Sequence, residues 1–373
     1  MDLDPETLLA RAGRDDIDPA RHDDPPRAAL EDTLASLDGG AGAIACSTGR
    51  QAVFAVLSLF DPDDHLICAR AGLGDPDQLV SARPDWHAPS ISYEDPSDHE
   101  ALAAAVRPET RALWVQTPSN LCLRILDLEG LSRFADAHDL RLIVDNTVLS
   151  PLLQRPLEYG ADLVLYTTMA PLTGHADGDG GAVVARTAPL ARELAGVAET
   201  HETAPDSLHS RDALRGAKTL SVRIQRHETN ARSIAYFLHE HPAVECVYYP
   251  GLRDHPDHET ARRQQDGYGS VLSIRVDESQ VEAIEVLRAT EVFASAESPG
   301  GMESRIEHPA TMRHVSVAPK QRKDAGVTKT LLRLSVGIES TEDLRADLEQ
   351  ALNAARCSRS VALSGRGSVQ VGA

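Results

Sequence analysis

Three short stretches of this chain carry side chains that could do chemistry. Asp145, in Val144-Asp-Asn-Thr147, closes an apolar run. A carboxylate at the carboxyl end of a buried strand stands where open α/β sheets hold their ligands, and there it can pair with a cationic ligand nitrogen. A plain Asp-Asn turn is the other reading. Ser47-Thr-Gly-Arg50 follows another apolar run and opens a helical pattern. Backbone N–H groups at a helix start bind phosphate, and glycine allows close approach. A Ser/Thr-capped strand-to-helix turn explains the same residues without a ligand, and on these residues alone it is favoured. Arg333 lies in Leu331-Leu-Arg-Leu-Ser-Val336. A guanidinium in such a run requires an anionic partner, either a bound ligand or an acid of the chain.

The elements that must position these groups alternate along the chain. Residues 43–47, 65–68, 112–117, 140–144, 161–165 and 181–185 are apolar at successive positions. Such runs read as strands buried on both faces, which implies a mostly parallel sheet covered by helices. Between them, residues 128–137 repeat apolar positions at helical spacing. Residues 207–241 read as a long helix broken near Gly216 that leads into a second domain. That domain carries a strand over 270–276. It ends in a helix over 340–352, capped by Ser340 or Thr341, with Leu344, Leu348 and Leu352 as its buried stripe. Beyond it the Ser/Gly/Val-rich tail, 359–373, reads as disordered.

Composition narrows the function classes. The 373 residues are 42% hydrophobic, enough for one large or two medium domains. The net charge of −20 argues against nucleic acid and anionic membrane as partners. Only Lys218, Lys320, Lys323 and Lys329 supply lysine among 37 basic residues, a bias expected of a GC-rich genome or, more sharply, of adaptation to high salt. The five cysteines are scattered with no C-x-x-C pair, so neither a disulfide frame nor a zinc site is implied. No run reaches the ~18–20 apolar residues of a membrane span, and the acidic start has no signal-peptide pattern. A cytoplasmic protein is the expectation.

Several multi-residue motifs resemble the transsulfuration enzymes, the pyridoxal-phosphate family of Cys/Met metabolism, with the cystathionine γ-synthase branch nearest. Val144-Asp-Asn-Thr147 matches that family's V-D-N-T, and Thr117-Pro-Ser-Asn120 matches its E-[ST]-P-[ST]-N. Leu331-Leu-Arg-Leu-Ser-Val336 falls in its R-[LI]-S-x-G-x-E. Glu297-Ser-Pro-Gly-Gly-Met-Glu-Ser304 and His308-Pro-Ala-Thr-Met312 match its E-S-L-G-G-x-E-S and H-P-A-x-M. The resemblance runs from about residue 24 to about residue 354 and implies the type I pyridoxal-phosphate architecture. Expected are a shortened arm at 1–27, a large cofactor-type α/β domain at 28–232 and a C-terminal α+β domain at 233–358. It also implies homodimers paired into tetramers, with sites at the dimer interface. By the same resemblance Asp145 pairs with the pyridine nitrogen and Asn120 approaches the ring hydroxyl. Gly49, Arg50, Thr147 and Thr167 lie about the cofactor, the first two and Thr167 at its phosphate. Ser298 and Arg333 hold the substrate, Arg333 by its carboxylate.

The departures fall on the cofactor. Where the family reads Ser-x-Thr-Lys-Tyr, this chain reads Thr167-Thr-Met-Ala-Pro171. Ala170 takes the place of the Schiff-base lysine, Met169 of a phosphate-binding hydroxyl and Pro171 of a tyrosine. The family's Y-G-G-x-Y reads Leu73-Gly-Asp-Pro-Asp77, and its Y-S-R aligns loosely with Pro19-Ala-Arg21. The expectation is a degenerate cystathionine γ-synthase-like protein that binds pyridoxal phosphate non-covalently and weakly, or not at all. It would act as a binding subunit for a small carboxylate or amino acid, or as a partner subunit. The partner would be a second copy or an active paralogue, which Arg21 could help to complete. The alternative is an enzyme of sulfur amino-acid metabolism carrying out γ-replacement, elimination or other chemistry, with His175, Tyr166 and Asp177 as nearby titratable groups.

Overall fold

Strands without a solvent face organise this protein. The structure, a computed structural model, describes residues 24–69, 76, 79–80, 86–175, 178–297, 300–312, 315, 322 and 326–366, the stretch 357–366 as helix backbone. The chain divides into two compact units. The first runs to Asn120 and adds Arg124–Ile224 and Pro256–Tyr268; the second holds Leu121–Leu123, Gln225–His255 and the chain from Gly269 onward.

The first unit is built on β1 (Gly42–Cys46), β2 (His65–Ala69), β3 (Ser90–Glu94), β4 (Thr110–Gln116), β5 (Arg141–Asp145), β6 (Leu163–Tyr166) and β7 (Gly181–Ala185). They form one sheet of order β1-β7-β6-β5-β4-β2-β3. The β2–β3, β2–β4, β4–β5 and β5–β6 pairs are parallel, whereas β7 is antiparallel to both β1 and β6. Hence β1, β4, β5 and β6 all point one way, and their carboxyl ends share an edge. The six apolar runs read from the sequence correspond to all of these strands except β3. Ser90-Ile-Ser-Tyr-Glu94 is an alternating, partly exposed edge strand and gives no apolar run.

Helices cover both faces: α1 (Pro25–Asp38), α2 (Gly49–Leu57), α3 (His99–Ala105), α4 (Leu128–Ala137), α5 (Ala170–Thr173), α6 (Ala188–Thr200), α7 (Ser207–Ala217), the first residues of α8 (Leu220–His239) and α9 (His258–Gln264). Successive side chains of a strand point to opposite faces, so each strand feeds two cores. Leu142 and Val144 of β5 pack with Leu30 and Leu34 of α1 and Leu128 and Leu131 of α4. Ile143 packs on the other face, with Ala52 and Val56 of α2 and Leu194 of α6. The break expected near Gly216 separates α7 from α8. A Cβ on Gly216 would lie 2.3 Å from the Thr173 carbonyl, so only glycine lets α7 end against α5. The buried Arg223 closes this junction. It donates to the carbonyls of Pro171 (2.8 Å), Leu172 (2.8 Å) and Gly216 (2.9 Å), satisfying backbone acceptors at two helix ends.

The second unit contains β8 (Val244–Tyr248), β9 (Val271–Val276), β10 (Ala294–Ser295), β11 (Arg305–Glu307) and β12 (Leu331–Ser335) in the order β10-β11-β12-β9-β8. Its helices include α10 (Ala283–Ala289) and α11 (Thr341–Arg366). The expected stripe of α11 is in place, Leu344, Leu348 and Leu352 being buried, and Ser340 Oγ accepts from Asp343 N. Two boundaries differ from the sequence reading. The units divide inside α8, between Ile224 and Gln225, rather than at 232/233. Helix backbone continues to Arg366, past residue 359 where the sequence reading begins a disordered tail. Residues 367–373 lie outside the described ones. Among the described residues no helix is long and apolar enough to cross a membrane.

Candidate functional site

Four of the sequence motifs meet at the carboxyl edge of the large sheet. Asp145 ends β5, Thr147 follows it, Thr167 follows β6, Ser47-Thr-Gly-Arg50 follows β1, and Thr117-Pro-Ser-Asn120 follows β4. Sheet geometry alone forces this, since a polar side chain in a doubly covered strand can escape the core only at an end.

Asp145 is buried. Its Oδ1 accepts from the Thr147 backbone N–H and its Oδ2 from Gln116 Nε2, each at 2.9 Å. Gln116 escaped the sequence reading. The family pattern opens with glutamate at this position, and that mismatch was the available signal. A neutral amide there donates a hydrogen bond, where a second carboxylate would repel the first.

Thr147 and Thr167 are joined. The Thr147 hydroxyl accepts from the Thr167 N–H at 2.8 Å and lies 3.2 Å from the Thr167 hydroxyl. Against them sits the start of α2. Thr48 caps it through Oγ1, which accepts from Gln51 N at 3.1 Å, while Ser47 Oγ donates to Gln51 Oε1. Gly49 and Arg50 are the first two residues of α2, so their N–H groups have no carbonyl four residues back within the helix. A Cβ on Gly49 would fall 1.9 Å from the Thr167 carbonyl oxygen. Glycine at 49 is therefore what allows the helix start and the Thr147–Thr167 pair to lie side by side. Arg50 is exposed and Asn120 half-buried.

Ala170 begins α5 and is only 1% exposed. Its N–H donates to Thr168 Oγ1 at 3.1 Å. Met169 is buried, and a Cβ on Gly180 would lie 2.8 Å from its Cγ, so that side chain is turned into packing. A cavity of about 20 Å³, lined in part by Thr147, Ser150, Tyr166, Thr168, Met169 and Pro171, lies beside the pair. It has room for about one water molecule.

Other expected residues behave differently. Tyr166, offered above as a titratable group for chemistry, is buried and points into the core. Its hydroxyl donates to Asp38 and accepts from Asn146 Nδ2 at 3.0 Å, and burial with Asp38 alongside pushes its pKa well above the usual phenol value. It is not placed to exchange protons with a ligand, because a strand residue adjacent to the edge alternates inward. His175 is exposed on the turn after α5. Leu73, Asp177, Ser298, Arg21, Lys320 and Lys323 lie outside the described residues.

Arg333 belongs to the second unit, at the centre of β12. The sequence reading favours a ligand carboxylate as its partner. In the structure Glu307, its cross-strand neighbour on β11, supplies one: Arg333 Nη1 lies 3.4 Å from Glu307 Oε2, with both side chains buried. This is the internal ion pair, required because an uncompensated guanidinium in that strand would be costly. The glycine-rich motif ending at Ser304 is tied to the strand that carries Arg333. Ser304 N and Oγ donate to the Glu339 carboxylate at 2.6 and 2.9 Å, and Gly337 N donates to Ser304 Oγ at 2.8 Å. His308 is also structural. Its ring bridges Thr311 Oγ1 and the Lys329 carbonyl, and burial holds its pKa below the usual imidazole value.

Residues 9–353 match the family model for Cys/Met metabolism PLP-dependent enzymes. A cystathionine gamma-synthase of Mycobacterium bovis is 41% identical over 337 residues, 89% of this chain and 85% of that protein. A cystathionine beta-lyase of Lactococcus lactis subsp. cremoris is 39% identical over 334 residues, 89% of this chain and 87% of that protein. The crystal structure of a cystathionine gamma synthase from Xanthomonas oryzae pv. oryzae in complex with cystathionine superposes with a TM-score of 0.87 at 38% identity. It covers 92% of this chain and 89% of that one. On the match of the family model over most of its length, this chain belongs to the Cys/Met metabolism PLP-dependent enzyme family.

Proposed function

We propose that this chain is a cystathionine γ-synthase-like protein that has lost lysine-dependent catalysis and serves as a ligand-binding or partner subunit. Ala170 carries the reading. By the resemblance of its motif it would stand at the family's lysine position, it is buried at the start of α5, and its side chain carries no amine. The first lysine of the chain is Lys218, exposed at the end of α7.

The surrounding groups still suit the two polar ends of pyridoxal phosphate. Asp145 would hold the ring nitrogen. The hydroxyls of Thr147 and Thr167, with the N–H groups of Gly49 and Arg50, would hold the phosphate, a fit supported by the space that only glycine leaves at 49. When bound, the cofactor supplies an electron-withdrawing ring that stabilises a carbanion on an attached amino acid. Removing the α-proton calls for a base within hydrogen-bond reach, and a methyl group at 170 is none. Met169 and Pro171 add no hydroxyl, so retention rests on non-covalent contacts and is weak. A carboxylate ligand at Arg333 would have to displace or share Glu307.

The names of the relatives favour a second reading: an enzyme of sulfur amino-acid metabolism, working by γ-replacement or elimination with non-covalently held cofactor. Assay of the protein with added pyridoxal phosphate for cystathionine synthesis and elimination separates the two, since only the second reading expects turnover. Borohydride reduction of the same mixture, followed by intact-mass measurement, tests the proposal further. The proposal expects no added cofactor mass; a stoichiometric adduct on Lys218 or Lys320 would sink it.

Restoring the amine is not expected to restore catalysis. Ala170→Lys places an ammonium at a position only 1% exposed. An uncompensated charge there costs about 3 kcal/mol, measurable by urea denaturation. Turnover should stay at least about a hundredfold below that of an active relative, because Met169 and Pro171 still deny the contacts that position the ring. Full cystathionine synthesis by the single variant would show the pocket to be intact.

The partner role predicts association. Co-expression with an active paralogue of the same host, then pull-down and mass measurement, should recover a homo-oligomer or a mixed one. A monomer at every concentration tested would remove the partner version.

A further inference from the structure

Asp38, the last residue of α1, is fully buried. Its carboxyl oxygens lie 2.8 and 3.0 Å from the Tyr166 hydroxyl, which can donate only one hydrogen. The facing elements offer little else. Arg155, in the turn after β5, is the one cation acting on it, and it is already paired with Glu158 at 3.0 Å. β7 has no titratable side chain, and β1 has only Cys46, itself buried with its pKa pushed up to about 12. On α7, His209, Arg211, Asp212 and Arg215 are exposed. Glu31, on α1 itself, accepts from Ala45 N. A fully buried carboxylate whose one donor among the described residues is a neutral hydroxyl is poorly stabilised, so the neutral acid is the form this pocket suits.

The same hydroxyl reaches the ligand edge. The fully buried Asn146 turns its Nδ2, which has two hydrogens to share, to the Tyr166 hydroxyl (3.0 Å) and the carbonyls of Gln154 (2.7 Å) and Ser150 (3.3 Å), the last the longest of the three. Gln154 Nε2 returns a bond to Asn146 Oδ1 at 3.0 Å and another to the Thr117 carbonyl at 2.8 Å. Asn146 lies between Asp145 and Thr147, so one chain of hydrogen bonds runs from Asp38 to the turn that presents both. That turn is constrained: Ser150 sits in the left-handed region at φ 71°, and its buried hydroxyl finds no partner among the described residues. The small cavity beside Tyr166 and Ser150 gives the turn somewhere to relax.

We propose that Asp38, Tyr166 and Asn146 form a proton-dependent latch that holds the turn after β5 while Asp38 is neutral and loosens it when Asp38 gives its proton to solvent. Burial raises the Asp38 pKa from 3.8 to about 7. A folded-state value above the unfolded one means the stabilisation is fully present below about pH 4 and is lost as pH rises through about 7. The latch acts on the ligand edge whether or not catalysis survives there.

The test is hydrogen exchange, read by mass spectrometry on peptides covering residues 146–155 and corrected for the intrinsic rate. The native chain should lose roughly tenfold in protection between about pH 5.5 and about pH 8.5. Asp38→Asn keeps the neutral state and should show the same protection at both. Its thermal midpoint should fall less across that window than the native one, by roughly 5 °C. Tyr166→Phe severs the link and should give low protection at both pH values, which keeps the test alive if Asp38→Asn does not fold. Unchanged protection in the native chain, or a fall of native size in either variant, would overturn the latch.

Discussion

A strand covered on both faces can carry a polar side chain only at its ends, and that constraint sets the rest of this structure. β4, β5 and β6 have buried interiors, and their first polar groups beyond the core, Gln116, Asp145 and Thr167, emerge at one edge. β1 joins them because β7 reverses direction twice over, returning β1 to the orientation of β6. The helix that follows β1 then approaches Thr167 so closely that only a glycine can stand at 49. Acid, hydroxyls and helix start are thus brought together by the sheet, independently of what they bind.

That independence explains how the frame and the chemistry can part company. The hydrogen bonds of Asp145, Thr147 and Thr167 are made within the chain, to Gln116 and to each other. None depends on a side chain at 170. An alanine there packs at the start of α5, and Arg223 holds that short helix through backbone carbonyls alone. The proposed absence of a lysine at 170 therefore leaves the hydrogen bonds of Asp145, Thr147 and Thr167 in place.

Much of this was legible in the sequence. Unbroken apolar runs marked the strands buried on both faces, and Leu344, Leu348 and Leu352 marked the stripe of the last helix. What stayed hidden has physical reasons. β3 alternates and lies at an edge, and β10 and β11 are two and three residues long, too short for any period to show. Tyr166 looks available because it adjoins Thr167, yet strand alternation sends it inward to Asp38, a partner 128 residues away. Glu307 could not be matched to Arg333 without the register of β11 on β12. Gln116 was readable, as a departure from the family motif at the position before Thr117.

The central claim is that no amine of this chain engages the cofactor carbonyl. Titration calorimetry comparing pyridoxal phosphate with pyridoxamine phosphate tests it directly. The two share ring and phosphate, and only the first can bond covalently to an amine. The account predicts weak binding of both, with affinities within about tenfold of each other. Pyridoxal phosphate binding a hundredfold or more tighter, on the order of 3 kcal/mol, would contradict it.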